Sequence, residues 1–218
     1  MSSAKLIEIY ELLYERYGRQ HWWPGEDRFE IIVGAILTQN TNWQNVEKAI
    51  ANLKSAGCLN PQSLYEMPVE ALAELIRPAG YYNIKAGRLK NFLNWLFDNY
   101  AGSLNALENM TIDSLRAELL GIKGIGAETA DSIILYAFEK PVFVVDAYTC
   151  RVLGRHALIE DGADYEQVRE FFESNLVSDV AFFNEYHALL VRVGKEHCRP
   201  RARCEGCPLG TLAHDLGD

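Results

Sequence analysis

A single carboxylate, Asp146, follows the apolar run Val142-Phe143-Val144-Val145 and opens a new helical pattern. An acid delivered in that way can stabilise a developing cation or orient a water molecule. It can equally serve as a plain helix N-cap. Upstream, Leu120-Gly121-Ile122-Lys123-Gly124-Ile125-Gly126 ends one helix and re-enters another at Ala127. Gly124 and Gly126 can adopt backbone angles closed to other residues. The resulting tight hairpin, anchored by Ile122 and Ile125, leaves free amides before a helix N-terminus, where a phosphate oxygen can sit. Lys123 adds a cation to the same turn. Cys198, Cys204 and Cys207 crowd one short segment and suit a metal better than disulfides, whereas Cys58 and Cys150 stand apart as small buried residues. The aromatic faces of Trp22, Trp23 and Trp43 could stack on a flat, cationic ligand or fill a core.

The composition frames these groups. The 218 residues carry a net charge of −9, with 49% hydrophobic and 23% charged residues, which excludes wholesale disorder and a globally basic nucleic-acid coat. A local basic face remains open: Lys85, Arg88 and Lys90 lie in one segment, and Lys195, Arg199, Arg201 and Arg203 crowd the C-terminal part. The N-terminal MSSAKLIEIYELLYERYG lacks the apolar core of a signal peptide, and the longest apolar run, 31–37, is too short to span a bilayer. The expectation is a cytoplasmic monomer with no membrane partner.

Helical periodicity must position the chemistry. Leu6, Ile9, Tyr10, Leu13 and Tyr17 recur at three- and four-residue steps, with Ser3 as cap and Gly18 as stop. Phe29, Ile32, Val33, Ile36 and Leu37 mark a more buried helix, and Val46, Ile50 and Leu53 a third that ends at Gly57. Pro68 suits the first turn of a helix carrying Val69, Leu72, Leu75 and Ile76. Leu89, Phe92, Leu93 and Leu96 mark a longer one, and two late helices cover 165–176 and 180–193. The strand-like run 141–145 is solitary. The fold class is all-α, about ten helices joined by short turns.

At the hairpin and the aspartate the chain resembles the endonuclease III superfamily of DNA glycosylases, with a helix-hairpin-helix followed by a loop and an essential aspartate. The hairpin motif L-x-G-I-G-x-x-T-A reads as 122–130, and V-D-x-x-x-x-R as 145–151. The resemblance continues through LTQNT (37–41), GYYNIKA (80–86) and the terminal cysteines. It implies two helical lobes with a DNA-binding cleft between them: residues 21–137 as a six-helix module ending in the hairpin, and 1–20 with 138–218 as a discontinuous module. The implied partner is duplex DNA with a damaged base, and Asp146 is the catalytic residue. Members that also cleave the backbone carry a lysine before the T-A of the hairpin. Here that position is Glu128, which cannot form a Schiff base, so the expectation is a monofunctional enzyme using water.

WWP (22–24), TQNT followed by Trp43, and RPxGxYN (77–83), together with Glu128, resemble the 3-methyladenine glycosylase branch known from Helicobacter. That resemblance implies Trp22, Trp23 and Trp43 as the base pocket and an alkylated purine as substrate. It also implies Gln39 and Tyr81 as residues entering the duplex, against local roles in helix capping and packing, and Lys85 as a phosphate contact. Many superfamily members hold a [4Fe–4S] cluster on cysteines spaced C-x6-C-x2-C-x5-C. Here Cys198-x5-Cys204-x2-Cys207 lacks the fourth, Ala213 fills its slot and His214 is adjacent. The readings are a cluster with His214 as fourth ligand, a zinc site, or a site that has lost its metal; the spacing favours the cluster, and no organic cofactor is implied. Two other functions stay open. One is an oxidised-pyrimidine glycosylase with lyase activity, and the other is a non-catalytic helix-hairpin-helix DNA-binding module.

Overall fold

The computed structural model describes residues 2–215, and within them the chain is all-helical. The helices are α1 (Ser2–Tyr17), α2 (Arg28–Leu37), α3 (Trp43–Ser55), α4 (Pro61–Glu66), α5 (Val69–Leu75), α6 (Tyr82–Tyr100), α7 (Asn105–Glu108), α8 (Ile112–Gly121), α9 (Ala127–Ser132), α10 (Ala147–Arg155), α11 (Tyr165–Asn175) and α12 (Val180–Glu196). A 3₁₀ turn, Arg77–Ala79, precedes α6, and a π-helical stretch, Ile133–Ala137, prolongs α9. The two helices beyond the expected number, α4 and α7, are six and four residues long, too brief to show a period. Ser3 lies inside α1, which already begins at Ser2. The chain divides into two compact units, Met1–Trp23 with Pro141–Asp218, and Pro24–Lys140.

The Pro24–Lys140 unit is built on α2, which is buried almost all round and is flanked by α3, α6 and the π-helical stretch. Asp27 caps α2 by accepting from the Glu30 amide at 2.9 Å. Beneath the hairpin, Arg116 of α8 grips the fully buried Asp131 that follows α9's first turn, Nε to Oδ1 at 2.7 Å and Nη2 to Oδ2 at 3.2 Å. That fork fixes how the two hairpin helices splay.

In the other unit α1, α10, α11 and α12 pack around the run 141–145. This run is extended but forms no strand, because side chains take the place of a neighbouring strand. The Phe143 amide donates to Glu173 Oε1 at 2.9 Å and the Val145 amide to the Tyr165 hydroxyl at 3.4 Å. Phe143 stacks on Phe172 at 3.7 Å between centroids, and Phe183 and Tyr186 pack edge-on against it. The Tyr186 hydroxyl, within the same core, donates to the Leu6 carbonyl at 2.7 Å. The helix-opening Asp146 is thereby held at the end of a rigid, dry segment. Gly194 brings α12 close to α10, since a Cβ there would fall 2.5 Å from Tyr148 Cδ1.

Candidate active site

Asp146 is the N-cap of α10, and its side chain is 12% exposed. Oδ1 accepts from the Thr149 amide at 2.8 Å and from the Thr149 hydroxyl at 2.9 Å. Oδ2 lies 3.7 Å from Nε2 of His187 on α12. Burial raises the carboxyl's pKa, but the nearby His187 imidazole and the two bonds from Thr149 outweigh it, and the net displacement is downward. The group is therefore an ionised carboxylate at neutral pH. The N-cap reading is realised, and capping uses only one of the two oxygens.

His187 was not among the residues read from the sequence. It is a lone buried imidazole in the apolar stretch Tyr186-His187-Ala188-Leu189-Leu190, and that polar intrusion is the signal that could have found it. About two turns further along α12, Lys195 places Nζ 5.8 Å from the centre of the Trp22 ring. Burial lowers the Lys195 pKa, and the charge of Asp146 partly offsets that. Trp22 and Trp23 meet edge to face at 5.5 Å, both half-buried. Asp146, His187, Lys195 and Trp22 thus share one neighbourhood: a carboxylate, an imidazole, an amine and an aromatic face.

The candidates between positions 39 and 128 lie in the other unit. Glu128 is exposed in the first turn of α9, and Lys123 is exposed in the hairpin, its carbonyl accepting from Asn91 Nδ2 at 2.8 Å. Gly124 has φ +97°, and a Cβ there would strike Arg88 Cγ at 2.5 Å, so glycine is required twice over. Gly126 departs from expectation: at φ −95° and ψ 179° it is ordinary extended backbone facing open space, and nothing within the chain demands glycine there. Gln39 is half-buried and pinned, with Nε2 donating to the Gly124 carbonyl at 3.1 Å and to Thr129 Oγ1 at 2.9 Å, while Arg88 Nη1 donates to its Oε1. Tyr81 caps α6 at φ +46° with 69% of its surface exposed, and Ile84 beside it is exposed as well. Trp43 opens α3 half-buried, its Nε1 donating to Glu47 at 2.7 Å.

Lys85 corrects the expectation of a phosphate contact. It is 1% exposed, and its Nζ donates to the carbonyls of Leu37 at 2.9 Å and Ala79 at 2.8 Å, closing the C-terminal ends of α2 and the 3₁₀ turn. Burial, and then the charge of Arg88, lower its pKa to about 8.

The cysteine loop follows α12. Cys198, Cys204 and Cys207 line a partly open pocket together with Arg155, His156, His197 and His214. Arg155 Nη1 donates to Cys198 Sγ at 3.1 Å, a contact that suits a thiolate, whereas burial raises the pKa of the Cys207 thiol. Among the described residues no three His, Cys, Asp or Glu side chains converge closely enough for one ion. Cysteine and histidine side chains are ligands for a zinc ion and for a [4Fe–4S] cluster alike. The donor set fits the cluster in chemistry and is one thiol short. Cys150 is half-buried rather than buried.

Residues 33–177 match the model of the HhH-GPD superfamily base excision DNA repair proteins. The chain belongs to that superfamily. A candidate DNA repair glycosylase of Methanocaldococcus jannaschii is 48% identical over 206 residues, 94% of this chain and 93% of that protein. The structure of the H. pylori 3-methyladenine DNA glycosylase bound to 1,N6-ethenoadenine is similar at TM-score 0.76 and 31% identity, over 89% of this chain and 97% of that one. A non-covalent endonuclease III–DNA complex shares the fold at TM-score 0.82 and 21% identity, over 98% and 95%. The all-helical endonuclease III-like fold and the family of base excision DNA glycosylases thus agree with the hairpin and the aspartate read from the sequence.

Replacing Lys85 by Met strands two buried carbonyls, so urea unfolding should show a loss of about 1–3 kcal/mol per abandoned group. The slope of log binding constant for DNA against log salt should stay at the wild-type value. A shallower slope in the variant would return Lys85 to the DNA backbone.

Proposed function

We propose that the protein is a monofunctional DNA N-glycosylase that removes an alkylated purine such as 3-methyladenine from duplex DNA, acting as a monomer. The observation that carries this reading is an ionised Asp146 in one unit combined with Glu128, and no amine, at the hairpin position of the other. An alkylated purine is cationic and leaves with its bonding electrons without prior protonation. Its departure puts positive charge on C1′ and the ring oxygen. The free oxygen of Asp146 stabilises that charge, and a water molecule then adds to C1′ and gives up a proton, yielding free base and an abasic site. A carboxylate in a water-poor setting interacts more strongly with such a cation than one in bulk water.

The similarity to the H. pylori enzyme and the indole faces of Trp22, Trp23 and Trp43 support a flipped-out, cationic base as ligand. Tyr81, exposed on a left-handed cap, would wedge the stack, and Gln39, held by Arg88, would meet the gap. Gly124, Gly126 and Lys123 would take phosphates; the open space over Gly126 leaves room for a DNA backbone that a side chain would obstruct. The cysteine loop would hold a [4Fe–4S] cluster on Cys198, Cys204 and Cys207, setting a segment whose exposed Arg199, Arg201 and Arg203 add positive charge. Such a cluster supplies structure here.

A second reading, strand cleavage by an endonuclease III-like lyase, gains support from Lys195, an amine within the field of Asp146. Duplexes carrying 3-methyladenine or an oxidised pyrimidine separate the readings. Breaks at 3-methyladenine that appear only after alkali support the proposal. Breaks without alkali, with borohydride trapping that disappears in Lys195→Gln, support the lyase. Release of no base from any lesion leaves a DNA-binding module.

His187 also sets a pH dependence. It lowers the Asp146 pKa, so activity is full above that pKa and falls as the carboxylate protonates. In His187→Leu the acidic limb of the rate–pH profile should move to higher pH. A limb that stays in place would remove His187 from the site's electrostatics.

A further inference from the structure

The cysteine loop supplies three thiols where a cubane cluster takes four ligands, and three histidines line the same pocket. They are not equivalent. His156 is the C-cap of α10, half-buried, and its Nδ1 stands 3.1 Å from the carbonyl oxygen of Ala213, the residue in the slot of the missing cysteine. Its neighbour Arg155 reaches the other side of the loop: one guanidinium nitrogen donates to Cys198 Sγ at 3.1 Å and to the Arg199 carbonyl at 2.7 Å, and the other donates to the Pro200 carbonyl at 2.8 Å. The Arg155 carbonyl in turn accepts from the Asp215 amide at 2.7 Å. Residues 155 and 156 therefore bracket the loop, Arg155 at the first cysteine and His156 at the empty fourth place.

A carbonyl oxygen can only accept, so Nδ1 of His156 carries the proton and Nε2 keeps its lone pair. That arrangement, one ring nitrogen donated to a carbonyl and the other free, is how proteins orient imidazole towards a metal. Imidazole is an accepted iron ligand, and it replaces thiolate in some iron–sulfur centres.

His214 is exposed, and its Nδ1 bonds to the Leu212 carbonyl, within its own segment, at 2.8 Å. Its ring meets that of His156 edge to face at 5.7 Å between centroids, and of the two rings only that of His156 is half-buried and hydrogen-bonded to a distant segment. His197 is also tied through Nδ1, to the Arg203 carbonyl at 3.0 Å. It immediately precedes Cys198, however, and adjacent residues, with Cα atoms about 3.8 Å apart, are poorly placed to serve two separate irons.

We infer that His156, from the end of α10, rather than His214 of the cysteine loop, supplies the fourth ligand to the centre held by Cys198, Cys204 and Cys207. The inference rests on the iron–sulfur reading of the loop, and it extends the metal site to a residue more than forty positions from the nearest cysteine of the motif. One consequence is that the cluster would bridge α10, whose first residue follows Asp146, to the C-terminal segment.

The test uses the full chain, purified without oxygen and reconstituted with ferrous iron and sulfide. Iron and acid-labile sulfide per chain, visible absorption and, after one-electron reduction, the nitrogen coupling seen by pulsed electron paramagnetic resonance are compared across variants. Wild type should bind a cluster with one strongly coupled imidazole nitrogen. His156→Ala should lose that coupling and release iron to a chelator on the order of tenfold faster or more. His156→Cys should retain the cluster without nitrogen coupling, which guards against loss through misfolding. His214→Ala and His197→Ala should match wild type. Coupling that persists in His156→Cys, or that vanishes in His214→Ala, overturns the assignment while leaving the cluster intact. A wild-type chain that takes up neither iron nor sulfide overturns the iron–sulfur reading itself.

Discussion

The two oxygens of Asp146 have different tasks, and most of the surrounding structure follows from keeping them apart. Oδ1 accepts both the amide and the hydroxyl of Thr149 and so starts α10. Oδ2 is left facing His187, with Lys195 in its field. A buried carboxylate tends to take up a proton and lose its charge. Here the cap bonds and the imidazole reverse that tendency, and the acid stays ionised in a place where little water competes with it. The extended run 141–145, with its amides satisfied by Glu173 and Tyr165, keeps the chain entering the site from shifting. Gly194 lets α12 come near enough to carry His187 to its place.

The other unit follows a different constraint, the geometry of a turn. Gly124 needs both its left-handed backbone and its missing side chain, because Arg88 passes over it on the way to Gln39. Gln39 then returns to the Gly124 carbonyl and to Thr129. Arg88, Gln39, Gly124 and Thr129 thus brace the hairpin from behind, while Arg116 and Asp131 fix its two helices beneath. Lys123, Gly126 and Glu128 are left at the surface.

Much of this was legible in the sequence where the signal was local. The helical class followed from apolar spacing, while the hairpin and Asp146 stood out through the resemblance of 122–130 and 145–151 to family motifs. What escaped depended on contacts between distant residues. Lys85 looked like one more cation in a basic segment, and nothing in the order of residues reveals that its ammonium turns inward to two carbonyl ends. His187 was hidden in an apolar helix because its partner lies 41 positions earlier in the chain. Gly124 and Gly126 read alike in the sequence, yet only one has a positive φ. Position 156 offers no motif, and it reaches the cysteine loop through contacts between distant residues, those of Arg155 with Cys198, Arg199 and Pro200 and of α10 with Ala213 and Asp215.

The central claim is electrostatic: the negative charge of Asp146, as distinct from its capping bond, lowers the barrier to base loss. Single-turnover excision of 3-methyladenine from duplex DNA by Asp146→Asn tests it directly, because asparagine keeps an oxygen to cap α10 while discarding the charge. The account predicts a folded protein that still binds the duplex but releases base more slowly by a factor on the order of 10³ or greater. A rate equal to that of wild type would contradict it.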